Sequence, residues 1–272
     1  MLLFSNCKIN IGLRITAKRG DGFHDLESLF LPVPWYDALE IIESDQLSLS
    51  ITGLNIPGDS SSNLCIRAWQ MLKQDFPGLP FVEIHLHKTI PTGAGLGGGS
   101  SNGAFMLKAV NSKFSLGLTP DQLRTYALAL GSDCPFFIKN KPAVARGRGE
   151  ILTPIALNLS GYHLVLANPG LHVATGWAFG QIRPQMPELP IEKMVDLPID
   201  QWKKAGVKND FEEPVFRKYP IISAVHAAMV EKGADFCAMS GTGSTCFGIF
   251  SKDPGLSAID FPPGTMVKSF VL

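Results

Sequence analysis

Only five of the 272 residues are cysteine (Cys7, Cys65, Cys134, Cys237 and Cys246), and no two stand in a C-x-x-C pair. That scarcity argues against a disulfide framework and reads as reduced core thiols. No H-E-x-x-H or comparable ligand cluster is present, so a protein-held transition metal is not expected. No apolar run approaches the length that spans a bilayer, and the first residues lack a signal-peptide h-region. A cytoplasmic chain with no membrane partner is therefore expected. Charge of one sign is not in excess either, since 24 Lys and Arg balance 24 Asp and Glu. A nucleic-acid partner would need a basic face, so none is expected. Internal repeats are missing, and the one low-complexity stretch is a glycine-rich loop. What remains is a balanced chain long enough for one large domain or two small ones.

That loop, Pro91-Thr92-Gly93-Ala94-Gly95-Leu96-Gly97-Gly98-Gly99-Ser100-Ser101-Asn102, dominates the sequence, with five glycines in seven positions. So little Cβ leaves the main chain open to close approach. Before it, 81–87 alternates Val82, Ile84 and Leu86 against Glu83, His85 and His87, a half-buried strand. After it, Ser100, Ser101 and Asn102 are N-cap residue types, and 104–111 reads as a buried helix. Strand, glycine loop and helix start together aim N–H groups and a helix dipole at one point, which is an anion site. Gly93, Gly95 and Gly98 satisfy G-x-G-x-x-G, but a dinucleotide fold needs another strand directly after the helix. Here 114–118 and then a second helix follow. A Walker A Gly-Lys-Ser/Thr is absent, as are the protein-kinase signatures. A flexible linker would be unusual between a strong strand and a strong helix.

Elsewhere, 4–15 alternates, with Ile9, Ile11 and Leu13 on one face and Lys8, Asn10 and Gly12 on the other. Polar residues on a strand face are ordinarily solvated, yet asparagine is a poor strand former and Lys8 has apolar neighbours. The 17–22 segment is a turn, and 23–30 returns beside the first strand. Further strands are expected over 35–43 and 47–52, and a helix from Leu64 to near Pro77. Thr119-Pro120-Asp121-Gln122 is a capping box that opens a helix ending at Gly131. Asp133 then stands between that helix end, whose dipole opposes it, and the apolar Pro135-Phe136-Phe137 run. Burial with a chemical role and an ordinary Asx turn are both open there. Gly147-Arg148-Gly149-Glu150 is a hairpin turn. The second half offers a strand over 162–167, a short helix over 175–182, and a proline-rich surface excursion over 185–200. A helix over 221–232 and strands at 235–239 and 244–250 follow, the two strands flanking the glycine turn 240–243. Mixed elements in both halves argue for α+β layers.

Pro91-x-x-x-Gly95-Leu96-Gly97-Gly98-Gly99-Ser100-Ser101 resembles the phosphate loop of the GHMP kinases. Two further signatures of that family are matched in order, Lys8-Ile9-Asn10-Ile11 and Met239-Ser240-Gly241-Thr242-Gly243-Ser244. The resemblance implies a two-domain α+β fold, with an N-terminal ATP-binding domain over 1–152 and a C-terminal substrate-side domain over 153–272 across a deep cleft. It implies transfer of the γ-phosphoryl of ATP, with Mg²⁺, to an alcohol of a small molecule. The residue matching the family base is Asp133, and Lys8 matches the lysine that steadies developing charge. Nucleotide binding falls to Pro91, Thr92, Gly93, Ala94, Gly95, Leu96, Gly97, Gly98, Gly99, Ser100 and Ser101, with no protein metal ligand assigned.

Asp21-Gly22-Phe23-His24-Asp25-Leu26, Gly131-Ser132-Asp133-Cys134-Pro135 and the 147–150 turn resemble the branch that acts on a cytidine diphosphate-linked methylerythritol. In that branch Asn10, Phe23, His24, Thr175 and Phe179 match substrate-binding residues. His24 would read the cytosine edge, and the base would stack between Phe23 and Phe179, drawn from different domains. Phe23 stands where the family often has tyrosine, and Asn102 where it often has aspartate. The match is weakest over 185–219. A homoserine- or mevalonate-type kinase would lack the Gly22-Phe23-His24 segment, and a sensor of the same fold would not need both Lys8 and Asp133. A monomer or weak homodimer is expected.

Overall fold

The computed structural model describes residues 1–56, 60–187 and 189–272. Strands β1 (Leu2–Lys18), β2 (His24–Ser44) and β3 (Ser48–Gly53) come first, followed by helix α1 (Leu64–Asp75) and β4 (Phe81–Lys88). Three helices follow, α2 (Gly98–Lys113), α3 (Pro120–Leu130) and α4 (Cys134–Lys139), then β5 (Ala143–Arg146), β6 (Ile151–Pro154) and β7 (His163–Asn168). The remainder is α5 (Thr175–Gly180), α6 (Ile199–Trp202), α7 (Glu212–Lys218), α8 (Pro220–Glu231), β8 (Phe236–Met239), β9 (Cys246–Phe250) and β10 (Met266–Val271). Among the described residues, no helix is long and apolar enough to cross a membrane.

The chain forms two compact units, and neither is continuous in sequence. One holds Met1–Lys8, Pro32–Thr92 and Gly97–Lys141; the other holds Ile9–Leu31, Gly93–Leu96 and Pro142–Leu272. Strands β1 and β2 each contribute residues to both units.

In the first unit β4 lies antiparallel to the second half of β2 and parallel to β3, with Ile41 opposite Ile84 and Leu49 opposite Ile84. The expected alternation holds, for Val82, Ile84 and Leu86 are fully buried. Each contributes roughly 1.5–3 kcal/mol by leaving water. Helices α1 and α2 pack on each other, α1 burying Cys65, Ala68, Trp69 and Leu72 and α2 buried along most of its length. The Thr119–Gln122 capping box closes reciprocally at the start of α3. Beneath α2 lies a buried ion pair of Lys88 and Asp37. Asp37 also accepts from the Thr89 and Ile90 N–H groups at 2.8 and 2.9 Å, and from Asn102 Nδ2 at 2.9 Å. Asn102 in turn accepts from Lys88 Nζ at 3.0 Å and donates to Ser5 Oγ at 2.7 Å.

In the second unit β5 pairs with the first half of β2 and forms a hairpin with β6 through the 147–150 turn. A separate antiparallel sheet runs in the order β10-β7-β9-β8. Leu13 and Ile15 of β1 share its core with Val165, Phe211, Val225 and Met239.

Several expectations are corrected. The residues 23–30 and 35–43 are one strand, because Pro32 and Pro34 are accommodated without ending β2. The helix after the glycine loop begins at Gly98 with Gly97 as N-cap, so Ser100, Ser101 and Asn102 form its first turn and cap nothing. The excursion over 185–200, whose Glu188 lies outside the described residues, is anchored inward by Ile191, Met194 and Ile199, all buried. Strand β10 has no counterpart among the expected elements.

The buried ion pair makes a testable demand. Lys88→Met should lower the free energy of unfolding by about 3–5 kcal/mol, since it leaves Asp37 charged and buried without its cation. The double variant Lys88→Met/Asp37→Asn should recover part of that loss. Urea titration of the three proteins reads both outcomes.

Candidate active site

The site is assembled from backbone first. At Gly95 φ is +79°, and a Cβ there would lie 1.9 Å from the Ser240 carbonyl oxygen, so only glycine fits. At Gly97 φ is +67°, and a Cβ would stand 3.2 Å from both Lys8 Cε and Phe137 Cζ. Main chain at the start of α2 is therefore packed directly against the Lys8 side chain. Lys8 is 3 % exposed and Asn10 only 2 %, so the second face of β1 is buried too and neither side chain is solvated.

Lys8 Nζ lies 3.3 Å from Asp133 Oδ2, the lysine side chain 4 % exposed and the aspartate 33 %. Asp133 is the N-cap of α4, a helix that the apolar 135–138 run does not reveal in the sequence. Of the two readings left open for Asp133, the structure shows a half-buried carboxylate with Oδ2 against the ammonium. Ser100 hydrogen-bonds to Cys134, whose thiol burial pushes up to about 12, which removes it as a nucleophile at neutral pH. Ser101 is fully buried, and its hydroxyl has no hydrogen-bond partner among the described residues.

The third glycine segment, 240–243, turns β8 into β9 and grips the loop within the second unit. Ser240 Oγ donates to the Gly95 carbonyl at 2.8 Å and accepts from the Asn10 N–H at 3.1 Å. The Thr245 N–H donates to Ala94 O at 3.2 Å. Asn10 Nδ2 reaches Ser28 Oγ at 3.1 Å. Behind the turn, Asn209 Nδ2 donates to the Met239 and Gly241 carbonyls at 2.7 and 2.8 Å. Glu212 Oε1 accepts the Met239 N–H at 2.7 Å. Sequence reasoning misses Asn209 and Glu212, which lie in the stretch of weakest family resemblance. The one available hint is the run Asn209-Asp210-Phe211-Glu212, three polar residues around one aromatic.

The aromatic residues are arranged differently from expectation. Phe23, His24 and Phe179 all belong to the second unit. His24 stacks on Phe179, ring centroids 5.0 Å apart and planes at 29°, and Phe179 meets Phe211 edge-on at 4.9 Å. Phe23 is half exposed and carries the Arg148 guanidinium 4.1 Å from its ring centroid. Thr175 opens α5 and is exposed.

The GHMP kinases N-terminal domain matches residues 63–141, and the GHMP kinases C-terminal domain matches 199–262. A 4-diphosphocytidyl-2-C-methyl-D-erythritol kinase of Bacteroides fragilis is 47 % identical over 265 residues, 96 % of each chain. The chain belongs to the GHMP kinases. Another relative within this family, the 4-diphosphocytidyl-2-C-methyl-D-erythritol kinase of Cytophaga hutchinsonii, is 46 % identical over 93 % of this chain and 94 % of its own. A crystal structure of a 4-(cytidine 5'-diphospho)-2C-methyl-D-erythritol kinase superposes with a TM-score of 0.81 at 31 % identity, covering 99 % of this chain and 98 % of its own.

Burial pushes the Glu212 carboxyl up to about 7 from its ordinary 4.5, so the folded protein holds this proton more tightly than the unfolded chain does. The stability linked to it is complete below about pH 4.5 and is lost as pH rises through about 7. The loss is on the order of 3 kcal/mol. Glu212→Gln keeps an acceptor for Met239 and should abolish that pH-dependent difference. Unfolding free energies of wild type and variant between pH 5 and pH 8 should diverge at the alkaline end, with the variant the more stable.

Proposed function

We propose that this chain transfers the γ-phosphoryl of ATP to the 2-hydroxyl of 4-diphosphocytidyl-2-C-methyl-D-erythritol, a cytoplasmic step of the non-mevalonate isoprenoid precursor route. The observation that carries the reading is the Lys8–Asp133 pair, at 3.3 Å, packed against the first residue before α2. The identity to kinases of that printed name, near 47 % over almost the whole chain, supports the choice of substrate.

Residues 91–101 hold the nucleotide phosphates. The N–H groups of the loop and the first turn of a 16-residue helix supply the positive end of a dipole. A Cβ at Gly99 would meet nothing within 4 Å, so the main chain there is open to approach. The buried, unpartnered Ser101 hydroxyl fits a metal-bound triphosphate, as an oxygen donor suited to a hard cation. No group of three carboxylate, imidazole or thiol side chains that could hold a metal ion occurs among the described residues, so Mg²⁺ would be held chiefly by the phosphates with Ser101. When bound it neutralises charge on the transferred group. Asn102 is committed to Lys88, Asp37 and Ser5, so its amide does not replace the carboxylate that the family often has there.

Asp133 accepts the proton of the acceptor hydroxyl as its oxygen attacks the γ-phosphorus in line and the bond from that phosphorus to the β-phosphate oxygen breaks, releasing ADP. Lys8, nearly excluded from water, offsets the negative charge that gathers on the attacking and transferred oxygens. Positioning supplies most of the rest, since phosphoryl transfer asks little covalent chemistry of the protein. Asn10, through the Ser240 and Ser28 contacts, fixes the substrate side of β1. Phe23, His24, Thr175 and Phe179 hold the cytidine, with His24 supplying edge hydrogen bonds and Phe179 a stacking face.

Asp133→Asn should keep the fold and lower turnover by about 10²–10⁴. Lys8→Ala should lower it comparably, with ATP affinity retained. The assay offers ATP and Mg²⁺ with the cytidine diphosphate substrate and, separately, with mevalonate or homoserine, and follows ADP. Release of ADP with mevalonate or homoserine alone would sink the substrate assignment, and wild-type turnover by Asp133→Asn would sink the base.

A further inference from the structure

Within the second unit the imidazole of His172 lies against the glycine loop at Gly93. There φ is +67°, and a Cβ would stand 2.9 Å from His172 Nδ1 and 3.3 Å from its Cε1. The ring fills the space that a side chain at position 93 would need, so only glycine fits beside it. Nε2 lies more than 4 Å from that point, so the Nδ1–Cε1 edge faces Gly93 and Nε2 stands clear of it. The segment carrying the ring is fixed on both sides. Asn168 ends β7, is 4 % exposed, and donates to Ser244 Oγ at 3.2 Å and to Thr245 Oγ1 at 2.9 Å. Ser244 Oγ donates to the Leu171 carbonyl at 2.6 Å, and Val173 is buried beside Gly243. Because the Thr245 N–H also holds the Ala94 carbonyl, loop and imidazole are set against the same turn. His172 itself is exposed, and its ring makes no hydrogen bond or ion pair among the described residues.

We propose that His172 is a phosphate-binding residue, its Nε2–H donating to a phosphoryl oxygen held at the Gly93 end of the loop. This rests on the reading of residues 91–101 as the holders of phosphate. That stretch contains no Lys, Arg or His of its own, so its main-chain N–H groups supply direction without a side-chain charge. An imidazole beside a phosphate donates a charge-assisted hydrogen bond and, once protonated, a compensating charge. Its short side chain rises from an anchored segment, so little freedom is lost when it engages an anion. Two phosphates meet this description, that of ATP and the diphosphate of the second substrate, whose proposed contact Thr175 lies further along the same segment. The chemistry is the same for both, and binding measurements separate them. A ring that only packed on Gly93 would serve as well without nitrogen.

Calorimetry on the full chain compares wild type, His172→Phe and His172→Gln. Phenylalanine keeps a ring over Gly93 and removes both nitrogens, whereas glutamine keeps an N–H donor near the place of Nε2. The ligands are adenosine, a non-hydrolysable ATP analogue with Mg²⁺, cytidine and cytidine diphosphate. In His172→Phe the ATP analogue or cytidine diphosphate should bind about ten- to a hundredfold more weakly, while its nucleoside stays within about twofold. His172→Gln should recover part of that loss. A loss confined to the ATP analogue assigns the phosphate to the nucleotide, one confined to cytidine diphosphate assigns it to the second substrate, and a loss in both supports a shared contact. The proposal is overturned if His172→Phe binds every ligand as wild type does, if nucleoside and nucleotide weaken alike, or if His172→Gln is as weak as His172→Phe. In that event, turnover of the cytidine diphosphate substrate by wild type leaves the kinase reading intact. A wild type that binds neither the ATP analogue nor cytidine diphosphate overturns the reading and the proposal with it.

Discussion

The buried pair of Lys88 and Asp37 is the constraint on which the entry and exit of the glycine loop depend. Two charges almost wholly out of water are costly unless every polar atom is satisfied. Here the carboxylate takes donors from Lys88, Asn102, Thr89 and Ile90. Each partner fixes a different element. Asp37 comes from β2, Lys88 ends β4, Thr89 and Ile90 lead into the glycine loop, and Asn102 lies in the first turn of α2. The place where the loop leaves the sheet and the place where it enters the helix are thereby tied to one carboxylate. Ser5 brings β1 into the same network, three residues before Lys8. A site whose chemistry is mostly positioning gains from this, because its reacting groups sit on strands and helix starts that cannot shift separately.

Within the second unit a different device holds the middle of the loop. Ser240 engages Gly95 and Asn10 through one hydroxyl, so β1 and the glycine loop share one hydrogen-bonding centre. The close approach of Gly95 to the Ser240 carbonyl shows why both segments are rich in glycine. Asn209 and Glu212 then fix the turn from behind. Burial raises the Glu212 carboxyl to about 7, so the stability it lends the fold falls as pH rises through neutrality.

Much of this architecture is legible in the amino-acid sequence. Alternation marks β4, an apolar run marks β7, the Thr119–Gln122 capping box marks α3, and the density of glycine between strand and helix marks a loop open to close approach. Lys8, Asp133 and the loop follow from the family signatures, and Lys8 and Asp133 do meet. What periodicity cannot show are features decided by distant partners. The Asp37–Lys88–Asn102 network joins residues up to 65 positions apart, and each looks ordinary in its own segment. Helix α4 is hidden because six residues hold too little periodicity to declare a helix, and with it is hidden the N-cap setting of Asp133. Proline in β2 argues for a break that the pairing on both halves of the strand overrides. The pairing of His24 with Phe179, and of Phe23 with Arg148, depends on side-chain placement that no spacing rule encodes.

The proposed chemistry stands or falls on where the phosphates and the acceptor hydroxyl lie relative to Asp133 and the loop. A crystal structure of the protein with a non-hydrolysable ATP analogue, Mg²⁺ and the cytidine diphosphate substrate measures this directly. The expected result is β- and γ-phosphate oxygens on the N–H groups between Gly95 and Ser101, with the 2-hydroxyl within about 2.6–3.2 Å of the Asp133 carboxylate. A triphosphate bound away from the loop, or a hydroxyl held by some other residue with Asp133 turned to solvent, would contradict it.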